Sequence, residues 1–317
     1  MSRSIDVTER REGSGLYKGP GEKRDKRQRE LDRRGSPRTG QERRHVGQAG
    51  EERRRPRPAA PAPSPAVDAA REPREREQRW YGLNACLALF ERRPQDLRKL
   101  WLLESRLTVL REVVAFCVKH RLGYTVVADE DLRRLSGSEH HEGVVMAVAP
   151  APELGLSAWL RDLPTGPQLA LWLDGVGNPH NLGAILRSAA HFGVAGVLLP
   201  KHAPLALSGA AARVAEGGAE RVPMVRLGRP DNALAQLTSA GFVAAATVVR
   251  GGTPLYGTAL PQRLLLVLGA EQTGVDPALA AATALRLGIP GTGAVESLNV
   301  AAATAVLVGE WWRQRHG

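Results

Sequence analysis

Residues 178–193 read Asn-Pro-His-Asn-Leu-Gly-Ala-Ile-Leu-Arg-Ser-Ala-Ala-His-Phe-Gly, and only Gly177 separates them from the apolar run 169–176. The apolar run is short and almost uninterrupted, which predicts a strand buried on both faces. Apolar residues then recur at helical spacing from Leu182 to Phe192, with Asn181 in a position to cap the helix and Gly193 in a position to end it. The stretch therefore predicts a strand, a polar loop and a helix.

The same alternation continues to the C-terminus and predicts the fold class. We expect further strands at 194–199, 222–226, 242–249 and 264–268, and further helices at 233–240 and 301–314. Short buried strands alternating with helices are typical of a parallel sheet with helices on both faces. The prediction is an α/β domain over residues 168–317.

The N-terminal quarter has a different composition. The chain has 317 residues and a net charge of +11, and residues 1–75 hold 20 basic and 13 acidic side chains but only one aromatic residue, Tyr17. Such a segment cannot bury enough apolar surface to offset its ordering entropy, so we predict a disordered basic tail over residues 1–78. We expect an arginine-rich tail to bind nucleic-acid phosphates without sequence preference, and a solvated linker with no partner is the alternative.

Helical and strand-like pieces alternate again over residues 79–150, which predicts a small α/β domain. Four prolines fall within or next to residues 151–167, and they predict a linker with one short helical piece.

Cys86 and Cys117 are the only cysteines, which excludes a disulfide scaffold and a cysteine-rich metal site. No apolar stretch reaches 18 residues, and we expect a cytoplasmic protein with no membrane segment and no bound metal.

Two more loops lie in the C-terminal domain. Residues 269–274 read Gly-Ala-Glu-Gln-Thr-Gly and follow a predicted strand, so Glu271 sits at the ligand side of a parallel sheet. Residues 289–299 read Ile-Pro-Gly-Thr-Gly-Ala-Val-Glu-Ser-Leu-Asn and precede the last helix, where Ser297 and Asn299 are also ordinary capping residues. Each loop alone is weak evidence for a site.

The first loop also invites comparison with a dinucleotide-binding turn, because Gly175 and Gly177 lie between a strand and a helix. His180 replaces the third glycine, and the next strand ends at Pro200 and Lys201 instead of an acidic residue. An NADP-dependent oxidoreductase using Gly175, Gly177 and Lys201 therefore remains only as an alternative.

Three segments taken together resemble the three motifs of the SpoU (TrmH-type) RNA 2′-O-ribose methyltransferases of the SPOUT superfamily. The segments are NPHNLGAILRSAAHFG, LVLGAEQTGV and IPGTGAVESLNVAAATAV. Weaker similarity to the family's substrate-binding domain lies in Tyr-Gly-Leu-Asn-Ala at 81–85 and His-Glu-Gly-Val at 141–144. One departure is Gly291, where the family often has a larger apolar residue, and a smaller residue there could loosen the cofactor pocket.

The resemblance implies a knotted α/β domain, preceded by a small ribosomal-protein-like domain, that transfers a methyl group from S-adenosylmethionine to a ribose 2′-hydroxyl of tRNA or rRNA. It also implies a homodimer. On the reaction side it places Asn181, Arg187, Glu271, Ser297 and Asn299. At the cofactor it places a second set of residues, namely Leu268, Gly269, Ala270, Gly274, Ile289, Pro290, Ser297 and Leu298.

Arg187 is the family's activator of the hydroxyl. A guanidinium stays protonated in ordinary surroundings, so we expect Arg187 to clamp a substrate phosphate that helps to accept the proton. A second hypothesis is an RNA-binding protein of the same fold without turnover. Calorimetric binding of S-adenosylmethionine would distinguish the two hypotheses.

Overall fold

The computed structural model describes residues 77–203 and 205–317. The predicted disordered tail therefore lies outside the described residues up to residue 76. The described part of the chain begins its first strand at Gln78.

The first sheet has four strands in the order β1-β4-β2-β3. Strand β4 is antiparallel to β1 and β2, and β3 runs parallel to β2. Its elements are β1 (Gln78–Tyr81), α1 (Leu83–Arg92), β2 (Leu97–Leu102), α2 (Arg111–Lys119), β3 (Gly123–Val126), α3 (Asp129–Ser136) and β4 (Val144–Val148). We call residues 78–148 the small unit.

The second sheet has eight strands in the order β10-β12-β9-β11-β6-β7-β8-β5, and all its neighbours are parallel. Its strands are β5 (Leu154–Gly155), β6 (Gln168–Asp174), β7 (Gly196–Leu199), β8 (Met224–Arg226), β9 (Val243–Thr247), β10 (Thr253–Pro254), β11 (Arg263–Gly269) and β12 (Leu285–Gly288). Its helices are α4 (Leu156–Arg161), α5 (Pro179–His191), α6 (Gly209–Ala215), α7 (Pro230–Ser239), α8 (Pro277–Ala282) and α9 (Val300–His316).

Strand β6 is the centre of two hydrophobic layers. Leu171 packs into the layer that contains Ile185 of α5, whereas Trp172 packs into the layer that contains Leu237 of α7. Successive strand residues point to opposite faces, so a nearly continuous apolar strand requires helices on both sides. This arrangement confirms the predicted α/β class with a parallel sheet.

The start of α5 corrects one prediction. The helix begins at Pro179, and its cap is Asn178, whose side chain accepts a hydrogen bond from the His180 backbone N–H at 2.8 Å. Asn181 is therefore inside the first turn and is not the N-cap. Its side chain is free to make contacts outside the helix.

The segment predicted as a linker contributes to the large sheet. Leu154 and Gly155 form β5, which pairs with β8, and α4 packs Trp159 into the second hydrophobic layer. The sequence analysis also did not predict α6, α8 or β12.

Within the described residues, no helix is long and apolar enough to cross a membrane. The same part of the chain contains no group of three or more His, Cys, Asp or Glu side chains that could hold a metal ion.

Candidate active site

Three loops meet at the carboxyl ends of β6, β11 and β12. Gly269 at the end of β11 pairs in register with Asp174 at the end of β6, so the loops that follow these strands start side by side. The Asp174 carboxylate then accepts a hydrogen bond from the Asp276 backbone N–H at 2.7 Å. This contact ties the second loop to the first.

Three polar side chains from the three loops bind one another. The Asn181 amide donates to Glu271 Oε1 at 3.0 Å, and the Asn299 amide donates to the same oxygen at 2.6 Å and to Asn181 Oδ1 at 3.1 Å. We call Asn181, Glu271 and Asn299 the polar triad. Because its members are 90 and 28 residues apart along the chain, only the fold brings them together.

The cap of helix α9 fixes the orientation of the Asn299 side-chain amide. Its Oδ1 caps α9 by accepting from the backbone N–H groups of Ala301 at 2.9 Å and Ala302 at 3.4 Å. Since the carbonyl oxygen is committed to the helix, the NH₂ group must face Glu271 and Asn181. Asn299 therefore caps α9, as its residue type and position predict. It also donates hydrogen bonds within the polar triad.

A cavity of about 890 Å³ lies beside the triad, at the ends of β9, β11 and β12. All eight residues predicted to bind a cofactor line it, and Glu271 and Ser297 of the predicted reaction side line it too. Its wall combines apolar side chains such as Leu268 and Leu298 with glycine backbone at 269, 274, 291 and 293. A cavity of this size, lined by both apolar and polar groups, can hold a small molecule.

The turn of the second loop depends on Gly269. Ala270 and Gly274 exchange two backbone hydrogen bonds, at 3.1 and 2.9 Å, which fold the loop back on itself. A Cβ at residue 269 would collide with the backbone of Gly274 and Val275. At Gly291, in contrast, a Cβ would enter open space.

Arg187 is not brought into the triad or the cavity wall. It lies on α5 with an exposed side chain, and it has no hydrogen bond or ion pair among the described residues. Asn181 and Asn299 border the cavity without being part of its wall. Gly175, Gly177 and Lys201, the residues of the oxidoreductase alternative, are likewise outside the wall.

One wall of the cavity was not predicted from the sequence. Residues 247–250, at the end of β9, line it, and the Arg250 guanidinium lies 3.6 Å from the Glu296 carboxylate. Residues 242–249 were predicted as a strand. Glu271 was selected because it follows the carboxyl end of a strand. Residues 247–250 also lie at the carboxyl end of a strand, but that this strand neighbours the site could not be known without the strand order.

Comparison with known proteins agrees with this geometry. A family model described as the SpoU rRNA Methylase family matches residues 168–309, which span all three loops. A second model, described as RNA 2′-O ribose methyltransferase substrate binding, matches residues 80–154.

Several relatives align over most of this chain. The protein named as an uncharacterized tRNA/rRNA methyltransferase, YfiF, of Escherichia coli O157:H7 is 41% identical over 245 residues, which cover 77% of this chain and 70% of YfiF. The 23S rRNA (guanosine-2′-O-)-methyltransferase RlmB of Pseudomonas aeruginosa is 34% identical, with 75% of this chain and 97% of RlmB covered.

Solved structures have the same fold. A TrmH-family protein from Porphyromonas gingivalis superimposes with a TM-score of 0.61 at 30% identity, covering 76% of this chain and 91% of that one. The SpoU methyltransferase AviRb from Streptomyces viridochromogenes, solved in complex with AdoMet, gives a TM-score of 0.62 at 24% identity, with coverages of 75% and 90%. The second likeness concerns the fold alone.

Proposed function

The chain belongs to the SpoU rRNA methylase family, and from this premise we propose that it transfers a methyl group from S-adenosylmethionine to a ribose 2′-hydroxyl of structured RNA, of the tRNA or rRNA class. The observation that carries the proposal is the polar triad beside the 890 Å³ cavity, because it joins the three family motifs in one place.

The chemistry of the cavity fits S-adenosylmethionine. This molecule supplies an electrophilic methyl group on a positively charged sulfonium. The charged residues that line the cavity are Glu271, Glu296 and Arg250, and Arg250 pairs with Glu296 at 3.6 Å. The lining therefore keeps one uncompensated carboxylate, that of Glu271, which favours a cationic ligand. We assign cofactor binding to the eight residues predicted from the family motifs, namely Leu268, Gly269, Ala270, Gly274, Ile289, Pro290, Ser297 and Leu298.

On the reaction side, the attacking 2′-hydroxyl must be aligned with the methyl group and must lose its proton as the new bond forms. We assign alignment to Asn181, Glu271, Ser297 and Asn299. Arg187 binds the neighbouring RNA phosphate through its two-pronged guanidinium, and the phosphate oxygen helps to take the proton. The exposure of Arg187 supports this role, because the side chain is free to reach an anionic substrate.

We propose the remaining features from family membership. They are a small RNA-binding domain over residues 79–150, a methyltransferase domain over residues 168–317 containing a trefoil knot, a homodimer and a cytoplasmic location, where the RNA substrate is found. The exposed Trp312, which stacks on His316, supports a dimer interface at the end of α9.

The test is methyl transfer in vitro with ribosomal RNA and tRNA, using S-adenosylmethionine with an isotopically labelled methyl group. We expect labelled 2′-O-methylnucleosides after complete digestion of the RNA. A protein that binds RNA without binding S-adenosylmethionine would instead support the alternative of an RNA-binding protein without turnover.

A further inference from the structure

One segment of the large sheet domain contacts both the small unit and helix α5. It comprises residues 209–221, that is, helix α6 and the 3₁₀ turn Gly218–Glu220 that follows. We call residues 209–221 the coupling segment. It contacts the small unit through one surface and helix α5 through another.

Four polar contacts join the small unit to the coupling segment. In each contact, groups of opposite charge or complementary hydrogen-bonding type face each other. Because of their order along the coupling segment, all four contacts form in one relative placement of the two surfaces, which we call their register. The four contacts are Glu142 with Arg213 at 3.3 Å, Asn84 with Glu216 at 2.6 Å, Arg93 with Glu220 at 3.0 Å, and Glu91 with Arg221 at 3.4 Å. A shift of this register would place like charges opposite each other, which costs free energy.

The Arg93–Glu220 contact is the buried member of the set. The two side chains are 11% and 8% exposed, and the Arg93 guanidinium donates to both carboxylate oxygens of Glu220. Arg93 also donates to Asp96 at 3.0 Å and to the Ala149 carbonyl oxygen at 3.1 Å, both on its own side of the contact. A two-pronged, buried pair of this kind fixes orientation more strongly than an exposed one does.

Glycines bring the backbones close on both surfaces of the coupling segment. Toward the small unit, a Cβ at Gly217 would lie 3.0 Å from the Ala88 Cβ. Toward α5, a Cβ at Gly218 would lie 2.7 Å from the Leu186 carbonyl oxygen and 3.1 Å from the Arg187 Cα. Contacts this close transmit small displacements, because packed backbones have no free volume to absorb them.

From these contacts we infer that the coupling segment holds the small unit in one orientation relative to Arg187, and that Arg93 and Glu220 are positioning residues for RNA. RNA bound by the small unit then arrives with its phosphate already aligned with Arg187. Pre-alignment lowers the entropy cost of reaching the reactive geometry. The inference rests on the proposed function for its catalytic consequence, but the fixed orientation is independent of it.

The first experiment compares Glu220→Ala with the wild-type protein. Arg93 keeps Asp96 and the Ala149 carbonyl oxygen in this variant, so its charge stays compensated and the small unit should fold. We expect kcat/KM for RNA to fall at least tenfold, mainly through KM, with the Kd for S-adenosylmethionine within twofold of wild type. The matched control is Arg134→Ala, which removes exposed ion pairs inside α3 alone.

The second experiment reverses an exposed contact, so that folding is not at risk. Glu91→Arg places two arginines opposite each other, and the double variant Glu91→Arg with Arg221→Glu restores the pair in reverse. We expect a twofold to fivefold loss of kcat/KM in the single variant and recovery in the double variant. A contribution to stability alone would leave KM unchanged in the single variant.

The third experiment measures orientation directly, by spin labels at Val118→Cys and Tyr256→Cys. Both positions are exposed, and the native Cys86 and Cys117 are buried. The labelled protein is mixed with an excess of unlabelled protein, so that the distance within one protomer is measured even in the proposed homodimer. One narrow distance without a further substitution and a broad distribution in Glu220→Ala support the inference. Identical distributions, or an unchanged kcat/KM in both sets of variants, would overturn it. If the wild-type protein does not methylate RNA, the result counts against the proposed function. One narrow distance in the same protein would still support the fixed orientation.

Discussion

The Asn299 side chain caps helix α9 with its oxygen and donates from its nitrogen to Glu271 Oε1 at 2.6 Å. One amide therefore links the stability of the last helix to the polar triad. Substitutions at this position can separate the two roles, because aspartate retains the capping oxygen and loses the donor.

Asn299→Asp should keep the helix cap but place a carboxylate against that of Glu271. Like charges at this distance repel, so we expect the triad to open and methyl transfer to fall about 10- to 100-fold, the range of a lost hydrogen bond to a charged group. Asn299→Ala should lose activity similarly and also lose about 1 kcal/mol of stability with the cap. Urea unfolding and initial rates measure the two effects, and full turnover in Asn299→Asp would contradict the assigned role.

Arg187→Ala should abolish most methyl transfer while the fold survives. The side chain is exposed and unpaired among the described residues, so the unfolding free energy should change by less than about 0.5 kcal/mol. Arg187→Lys should rescue turnover only in part, since an ammonium cannot make the two-pronged phosphate contact. Rates with saturating RNA test this prediction, and a fully active Arg187→Ala would remove Arg187 from the mechanism.

Gly269→Ala should disrupt the second loop, because the added Cβ would strike the backbone at Gly274 and Val275. We expect the Kd for S-adenosylmethionine to rise at least tenfold. Gly291→Ala is the matched control in the same cavity wall, where the added methyl group meets nothing within 4 Å. Calorimetric titration of both variants decides the point, and equal affinities would contradict the loop geometry.

Acid should weaken the end of helix α9. Hydrogen bonds from Arg313 and then Gln314 lower the pKa of Glu310 to about 2, against an ordinary value of 4.5. A folded-state pKa below the unfolded one stabilises the protein above pH 4.5, and this contribution is lost as the pH falls toward 2. Wild type should therefore have a higher Tm than Glu310→Gln at pH 6, and the difference should shrink between pH 5 and 2. A constant difference would contradict the assigned pKa.

The sequence predicted the strands and helices of the large domain correctly where a residue pattern favours a single type of secondary structure. The run 169–176 is short, apolar up to Asp174 and followed by glycines, which favours a strand covered on both faces over a helix, and β6 is such a strand. The start of α5 was mispredicted because Asn178 and Asn181 are equally good caps by residue type. The structure uses the first, since Pro179 is suited to the first helical position.

The loops that form the candidate site were predictable from the sequence, but their arrangement in space was not. Motif residues identified the loops, yet the hydrogen bonds among Asn181, Glu271 and Asn299 depend on which strands are neighbours. The wall at residues 247–250 was missed for the same reason, because β9 lies between β11 and β12 only in three dimensions. Strand β12 was missed because its sequence, Leu-Arg-Leu-Gly, has only two leucines and does not stand out as an apolar run.

The most direct test of the central claim is mass spectrometry of RNA nucleosides after reaction with S-adenosylmethionine carrying a deuterated methyl group, for wild type and for Asn299→Asp. The account predicts a labelled methyl group on a ribose 2′-oxygen with wild type and its near-complete loss with the variant. A label on a base, or an equal amount of ribose label from both proteins, would contradict it.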